Sequence, residues 1–443
     1  MRSRTMNTRS AERVPERPRT KNVLRRWLIP EVAIFVPVAV SVAVWLIPGE
    51  SYALRGFAAR PSLTFGTVLP VLMWYLWITI LVHVARRSGA QLAARLHTKS
   101  RRGYEPNPDT SKRAKRVGLL VLTSLATIGV AHAVTTAGSL SGILTALESS
   151  QANQLSESLT GSAGIATLRY TAAIAAPYSI MLLAQGITRW PLVVWNVLLL
   201  LTNALFSSRL SLIMAIIVAA YILTNAFPGF RIRWVAVAIP ASLCALALVF
   251  FNYSRNANFY KGFGIDDPLS MSFYQFAAYL GTPFQVSLGV SEAMQSSRVE
   301  IGGNVLQLLT PTFLRPETPE AVVTASKYPV PVDVAGNLTT NSAFADVASN
   351  YGFAGLIAAT LVYVIAGFVF GALARQTNAL SLIPGVLLYC FAETWRIFLF
   401  PQGIVVYLIL AAVGVHLIER LGTTGRRSSS SGLVNANFTA YRA

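Results

Sequence analysis

Charged side chains, histidine and cysteine are all scarce in this sequence. Asp, Glu, Lys and Arg make up only 12% of the 443 residues, about half the share found in soluble domains. The two cysteines, Cys244 and Cys390, lie in apolar stretches, and the four histidines are dispersed without CxxC or HExxH spacing. This pattern argues against a disulfide-stabilised scaffold and a zinc centre, so we expect neither a metal site nor a cofactor.

Nucleotide-binding and hydrolase motifs are also missing. No GxxxxGK[S/T] or GxGxxG loop occurs, which argues against direct nucleotide use, and no GxSxG nucleophile elbow is present. The net charge is +19, but the basic residues flank apolar runs and accompany no nucleic-acid-binding motif. The excess charge therefore predicts contact with anionic lipid headgroups and no nucleic-acid partner.

Long apolar runs are what the sequence has in abundance. Hydrophobic residues make up 53% of the chain, and the mean hydropathy is +0.52. Continuous runs of about 20 apolar residues predict transmembrane helices, whereas a β-barrel would show alternation. We therefore predict an all-α polytopic membrane protein with about ten transmembrane helices. The predicted spans are 28–48, 64–85, 117–137, 165–186, 190–206, 210–227, 232–251, 348–373, 379–397 and 402–419.

The distribution of Arg and Lys predicts the orientation of the bundle. Basic clusters occupy both tails, residues 86–116 and the turn at 228–233, whereas 138–163 contains no Lys or Arg. The positive-inside rule then places both termini in the cytoplasm. The predicted organisation is a basic cytoplasmic tail at 1–27, spans one to seven at 28–251, a large periplasmic loop at 252–346, spans eight to ten at 347–419 and a cytoplasmic tail at 420–443.

The large outer loop, 252–346, contains two kinds of segment. In 270–296 aromatic and aliphatic residues recur at helical spacing, which predicts short amphipathic helices that lie on the membrane surface or pack back onto the bundle. Five prolines between 310 and 333 predict an extended stretch. Binding groups concentrate in loops held over a rigid scaffold, so we expect the functional site at this side of the bundle.

Two apolar runs, 190–206 and 210–227, are separated only by Ser207, Ser208 and Arg209. The stretch LLLLTNALFSSRLSLIMAIIVAAYIL resembles the Ser/Arg-centred motif of bacterial oligosaccharide repeat-unit polymerases, the Wzy-type or O-antigen polymerase-like family. The stretch LTPTFLRP at 309–316 resembles that family's Pro–basic–Pro segment in the large outer loop. NSAFAD and NYGFAGL, which follow, resemble the entry to the next span. The similarity covers roughly residues 165–419, and Leu210 departs from it where many relatives have a small residue.

This resemblance implies a GT-C-like helical bundle and a reaction on the outer face of the bacterial cytoplasmic membrane. Two polyprenyl-diphosphate-linked oligosaccharides meet, a hydroxyl of one attacks the anomeric carbon of the other, and polyprenyl diphosphate leaves. The enzyme would be a membrane glycosyltransferase that needs no metal or cofactor. The implied partners are the lipid-linked oligosaccharide substrates, the lipid bilayer, a chain-length regulator and a flippase.

A leaving diphosphate requires cationic groups, and arginine suits a bidentate clamp on phosphate oxygens. On the resemblance, we assign Arg209, Arg255 and Arg315 to the diphosphate. Asp346, at the return to the membrane, is the candidate general base. The candidate substrate-binding residues are Ser208, Tyr253, Tyr351, Glu393, Arg396 and Arg169.

Each of these residues also has a structural interpretation. The three arginines assigned to the diphosphate could instead be interfacial anchors or ordinary loop charges. Asp346 would be favourable in the first turn of a helix, next to the positive end of the helix dipole. Glu393 and Arg396 stand at i and i+3, so they could pair with each other instead of lining a substrate cavity.

Other functions stay open. An O-antigen ligase is expected to carry a histidine in its large outer loop, and residues 252–346 contain none. A glycosyltransferase that uses polyprenyl-monophosphate sugars usually presents acids in its first outer loop, where only Glu50 occurs. A lipid-linked saccharide flippase or other transporter would place charges on several spans, and the sequence shows no internal repeat and no matched pair of broken helices.

Overall fold

The computed structural model of the chain describes residues 26–46, 64–100, 108–136, 164–205, 209–227, 261–262, 264–295, 304–314 and 341–424. Within these ranges every regular element is helical, and no strand occurs. The all-α prediction is therefore confirmed for this part of the chain. The predicted seventh span, 232–251, and most of both tails lie outside the described residues.

The α-helices of the described ranges are α1 (Pro30–Trp45), α2 (Phe65–Ser100), α3 (Pro108–Thr136), α4 (Ala172–Ala184), α5 (Trp190–Leu205), α6 (Arg209–Ala226), α7 (Pro268–Gln295), α8 (Val305–Leu309), α9 (Ala343–Leu373), α10 (Leu382–Ala392) and α11 (Gly403–Thr424). Short 3₁₀ helices at Ile165–Thr171, Thr312–Leu314 and Ala379–Ser381 precede α4, follow α8 and precede α10.

Four helical stretches are long and apolar enough to cross a membrane. They are Phe65–Leu96, Thr110–Thr136, Ala343–Leu373 and Gly403–Gly422, and shorter apolar helices accompany them at Pro30–Trp45, Trp190–Ala204, Leu210–Ala226 and Ala379–Ala392. Large apolar side chains face away from the protein, with Phe35, Trp77 and Ile357 60%, 54% and 73% exposed. These features support a membrane protein, and the number of ten spans stays a prediction.

The structure differs from the sequence-based boundaries at three predicted spans. The second continues as α2 to Ser100, because the residues after 85 are largely good helix formers and include no proline. The fourth begins as a 3₁₀ helix and is α-helical only from Ala172 to Ala184. The ninth was predicted to continue to 397, which is wrong, since α10 ends at Ala392. Local turns follow as far as Ile397, and contacts with α9, described below, satisfy the carbonyl of Thr394 and the N–H of Phe398.

The helices predicted within 270–296 form one continuous helix, α7, which packs back onto the bundle. The Ser41 hydroxyl donates a hydrogen bond to the carbonyl oxygen of Leu280 over 2.6 Å. The ring of Trp45 meets that of Phe284 edge-on, with 5.3 Å between centroids. Of the two predicted positions for this segment, the one against the bundle is confirmed.

Helices α2 and α9 approach each other closely because glycine occupies several of their contacts. A Cβ atom built on Gly371 would overlap the backbone carbonyl of Arg86. Closer to the N-terminal ends of both helices, the indole N–H of Trp74 donates to the carbonyl oxygen of Leu356 over 3.4 Å. Later residues of α2 thus meet later residues of α9, so the two helices run in the same direction. Small residues at helix interfaces are a main source of close packing in membranes.

Helix α9 breaks at Gly352, which has φ 58° and ψ −149°. The ring of Trp74 lies 5.8 Å from that of Phe344 and 6.0 Å from that of Tyr363. A straight helix would place these two partners roughly 28 Å apart along its axis. The first part of the helix, 343–351, therefore folds back against the remainder.

Replacing Gly352 by alanine is expected to destabilise this fold-back. A residue with a Cβ is strained at φ 58° and ψ −149°, which costs on the order of 1–3 kcal/mol. We expect a lower melting temperature for Gly352→Ala in thermal unfolding of the detergent-solubilised protein. Gly414→Ala is the matched control, because nothing lies within 4 Å of a Cβ at Gly414. Equal melting temperatures for the two variants would contradict the break in α9.

Candidate functional site

A buried non-helical segment, 393–402, connects α10 to α11. Its residues Phe398 and Phe400 are 5% and 8% exposed. The ring of Tyr363 packs on both, at 5.7 Å and 5.0 Å. Irregular backbone at membrane depth is tolerated only where it is buried in protein or lines a cavity, because lipid offers no hydrogen bonds. The segment also carries two ionisable residues, and such residues inside a membrane protein are functional candidates by default.

The start of α9 closes over this segment through two hydrogen bonds. The backbone N–H of Ala343 donates to the carbonyl oxygen of Thr394 over 3.2 Å. The backbone N–H of Phe398 donates to the Oδ2 atom of Asp346, also over 3.2 Å. Ser342 caps the same helix end with its side chain. In a continuous helix the N–H of Phe398 would donate to the carbonyl oxygen of Thr394. Here the N-terminus of α9 satisfies both of these backbone groups.

Both carboxylate oxygens of Asp346, the predicted general base, are in use. Oδ1 accepts a hydrogen bond from the side-chain amide of Asn341, and Oδ2 accepts the backbone bond from Phe398. The residue also lies in the first turn of α9, where a negative charge is favourable to the helix dipole. These contacts match the structural interpretation of Asp346, and its role as a base stays a prediction.

Glu393 and Arg396 form a buried ion pair at the end of α10. The Nε atom of Arg396 donates to Oε2 of Glu393 over 2.8 Å, and the two side chains are 13% and 9% exposed. The Nη1 atom of Arg396 donates to the hydroxyl of Tyr279 in α7, and the guanidinium carbon lies 5.5 Å from the centre of that ring. Trp395 packs edge-on against Tyr279 at 5.8 Å. The guanidinium is therefore held in a fixed position between α7 and the segment 393–402.

Arg396 keeps part of its hydrogen-bonding capacity free. A guanidinium has five N–H donors, and within the described residues only Glu393 and Tyr279 accept from this one. Glu393 likewise accepts only through Oε2 in that part of the chain. The hydroxyl of Tyr389, one helical turn before Glu393, is buried and has no partner among the described residues. Free guanidinium donors beside a free carboxylate oxygen can bind a phosphate group and an alcohol at the same time.

A small cavity lies beside Trp395. The volume open to a water-sized sphere is only about 10 Å³, and its walls include Tyr75, Phe284 and Ser287. The Ser287 hydroxyl lies 2.7 Å from that of Ser342, which connects the cavity wall to the start of α9. A single water molecule needs about 10–15 Å³ by this measure, so this space is not a saccharide site.

Two other predicted site residues make separate contacts. Tyr351 is half-buried at the end of the first part of α9, where its side chain packs against Gly355. Arg169 is 6% exposed in a 3₁₀ helix. Its Nη2 atom donates to the hydroxyl of Tyr170 over 3.1 Å, and its backbone meets Gly129 of α3. The structure thus brings Asp346, Glu393 and Arg396 together around one segment, whereas these two residues contribute to other contacts of the bundle.

The remaining predicted residues cannot be placed in this site. Ser208, Tyr253, Arg255 and Arg315 lie outside the described residues. Arg209 is the first residue of α6, with only its backbone described. The three-arginine diphosphate set therefore stays a prediction. Within the described ranges no three His, Cys, Asp or Glu side chains come together as metal ligands, and independence from metal likewise stays a prediction.

Two further buried carboxylates join helices away from this segment. Glu31 of α1 accepts a hydrogen bond from Arg86 Nε over 2.7 Å, and His83 Nδ1 lies at the same distance from it. Glu419 of α11 accepts from the hydroxyl of Tyr178 in α4. Both carboxylates connect separate helices, so we regard them as structural and use Glu419 below as a control.

No known protein family, curated protein or solved structure matches this chain. The similarity to repeat-unit polymerases therefore rests on the short motifs quoted above.

Sequence reasoning missed two residues of this site, Tyr279 and Trp395. Tyr279 lies in α7, and nothing in the local pattern indicates that its hydroxyl meets a side chain from the other end of the chain. Trp395 stands between Glu393 and Thr394 on one side and Arg396 on the other. Its position among polar and charged residues within an apolar stretch was the one sequence feature that could have indicated Trp395 as a site residue.

Proposed function

We propose that the chain polymerises polyprenyl-diphosphate-linked oligosaccharide repeat units at the outer face of a bacterial cytoplasmic membrane. The motif resemblance and the chemistry of the Arg396 site support this proposal independently. The proposal includes about ten spans in a GT-C-like bundle, with both termini in the cytoplasm. The product would be an O-antigen, a capsular polysaccharide or an exopolysaccharide.

The observation that carries the proposal is the fixed guanidinium of Arg396, which has donors that no described residue uses. Polymerisation releases polyprenyl diphosphate, whose oxygens gain negative charge as the bond to the sugar breaks. Each charge-assisted hydrogen bond from a guanidinium to phosphate contributes about 1.5–3 kcal/mol. Glu393 and Tyr279 already hold the guanidinium in place. Its other donors therefore need little reorganisation during the reaction, which is how preorganised groups stabilise a transition state.

The three arginines assigned by resemblance complete the diphosphate site in this proposal. Arg209 begins α6, and Arg255 and Arg315 belong to the large outer loop. Several guanidinium groups are appropriate because a diphosphate carries more charge than Arg396 can neutralise while it is paired with Glu393. A regulator of chain length and a flippase that delivers the lipid-linked units are the proposed partners.

A lipid-linked saccharide flippase is the second candidate, and one observation favours it. Helix α9 breaks at Gly352, and α10 ends at the segment 393–402, which the start of α9 contacts. Interrupted helices that meet inside a bundle form substrate and ion sites in many transporters. The sequence showed no matched pair of broken helices. The interruptions in α9 and α10 therefore support a flippase in a way that the sequence did not.

Deletion of the gene in its host distinguishes these functions. Loss of a polymerase should leave single repeat units on the cell surface and no polymer. Loss of a flippase should leave no units outside the membrane, and loss of a ligase should leave polymer on the lipid carrier. Electrophoresis of surface glycolipids and mass spectrometry of polyprenyl-linked saccharides measure these products. Polymer of normal length in the deletion strain, without a second polymerase gene, would refute the proposal.

A further inference from the structure

We propose that Glu393 is the general base that takes the proton from the attacking hydroxyl of the acceptor saccharide. This inference rests on the proposed polymerase function and deepens it. It assigns to Glu393 the role that the sequence suggested for Asp346.

Asp346 is poorly placed for proton abstraction. A general base must bring a carboxylate oxygen within hydrogen-bonding distance of the hydroxyl, about 2.6–3.2 Å. Asn341 occupies Oδ1 of Asp346, and the backbone N–H of Phe398 occupies Oδ2. Each oxygen could accept a second hydrogen bond, but a proton taken up by either oxygen would weaken the bond that this oxygen already accepts. Asp346 is therefore engaged in holding the segment 393–402.

Among the described residues, Glu393 has one carboxylate oxygen that accepts no hydrogen bond, and Asp346 has none. Its Oε2 atom accepts from Arg396, and no described residue donates to Oε1. The carboxylate is 9% exposed on its side chain and is held in place by the guanidinium. Because the bond to Arg396 fixes the direction of the carboxylate group, Oε1 is oriented before substrate arrives, as preorganised catalysis requires.

The ion pair also brings the two reactants together. The unused guanidinium donors of Arg396 bind the diphosphate of the donor substrate, and Oε1 of Glu393 binds the hydroxyl of the acceptor. One ion pair of 2.8 Å thus holds the nucleophile beside the leaving group. Productive attack requires reacting atoms about 3–3.5 Å apart, and groups on the two partners of one pair can reach that separation.

The proposed step is balanced without a cofactor. The acceptor oxygen forms a bond to the anomeric carbon of the donor sugar. The bond from that carbon to the phosphate oxygen breaks, and its electron pair leaves with polyprenyl diphosphate. The hydroxyl proton moves to Oε1 of Glu393 and is then released to water.

Glu393→Gln in the full-length protein tests this role, because glutamine can still accept from Arg396 but cannot take the proton. The assay measures polymerisation of purified lipid-linked repeat units from the host by the protein in nanodiscs. We expect kcat to fall about 10²–10⁴-fold while KM for the lipid-linked substrate changes only a few-fold. The acidic limb of the wild-type pH–kcat profile should disappear in this variant.

Two further carboxylate variants complete the test. Glu419→Gln is the control, because Glu419 joins α11 to α4 away from the site, and it should lower the melting temperature while retaining the kcat and the acidic limb of the wild type. Asp346→Asn should lower both the melting temperature and kcat, because it loosens the segment 393–402, but it should keep the acidic limb. Wild-type kcat in Glu393→Gln, or loss of kcat and of the acidic limb in Asp346→Asn alone, would overturn the assignment. Absence of polymer with the wild-type protein would refute the proposed function itself, so the two failures are distinguishable.

Discussion

Arg396→Ala is expected to lower the rate of the proposed polymerisation by about 10³-fold, because loss of a charged group that stabilises a leaving phosphate has an effect of this order. The substitution also leaves Glu393, 9% exposed on its side chain, without its cation, which costs about 3–5 kcal/mol of folding free energy. Arg396→Lys should retain more stability but remain strongly impaired, since an ammonium lacks the planar fork of donors. The in vitro polymerisation assay measures the rates, and thermal unfolding measures the stability.

A paired substitution separates the loss of chemistry from the loss of folding. Replacing Glu393 and Arg396 together by methionine removes both charges, and such exchanges of buried ion pairs are often neutral or stabilising. We expect this double variant to regain the melting temperature and to stay inactive. Arg87→Ala is the control, because Arg87 is exposed on α2. Activity in the double variant would show that Arg396 does not contact the diphosphate.

Gly371→Leu is expected to cause the largest loss of stability of any single glycine replacement proposed for this protein. A side chain at Gly371 would run into the backbone carbonyl of Arg86, and backbone cannot rotate away as a side chain can. Overpacking typically costs about 1–3 kcal/mol, and a backbone collision belongs at the upper end of that range. We expect a low yield of folded protein and a clearly reduced melting temperature in detergent.

Gly414→Leu provides the comparison for this second prediction. Gly414 lies in α11, and nothing surrounds a Cβ atom there within 4 Å. The same change in volume and hydrophobicity should therefore be tolerated. If Gly371→Leu were as stable as Gly414→Leu, helices α2 and α9 would not approach as closely as described.

Hydropathy alone was sufficient to predict the helical class and the positions of most long helices. The apolar run at 402–419 corresponds to α11, and the run at 190–206 corresponds to α5. These predictions succeed because a membrane helix satisfies its own backbone, so that its signal is local. The same local rule extended the ninth span to 397, because it could not show that the carbonyl of Thr394 and the N–H of Phe398 bond to the start of α9 and not to each other.

The candidate site was only partly visible in the sequence for the same reason. Glu393 and Arg396 stood out as charges in an apolar stretch, and their possible pairing followed from spacing. The contact of Arg396 with Tyr279 could not be predicted, since it joins residues 117 positions apart. The break at Gly352 was equally hidden, because a single glycine within an apolar run is common in membrane helices.

The bond between Asp346 and Phe398 joins residues 52 positions apart. A ribosome that has just completed α9 has not yet made its partner. Until α10 and the segment after it enter the membrane, the start of α9 has no acceptor at Thr394 and no donor at Phe398. The candidate site can therefore form only after Phe398 has been added to the chain, and chains that stop after α9 should be targets for membrane proteases.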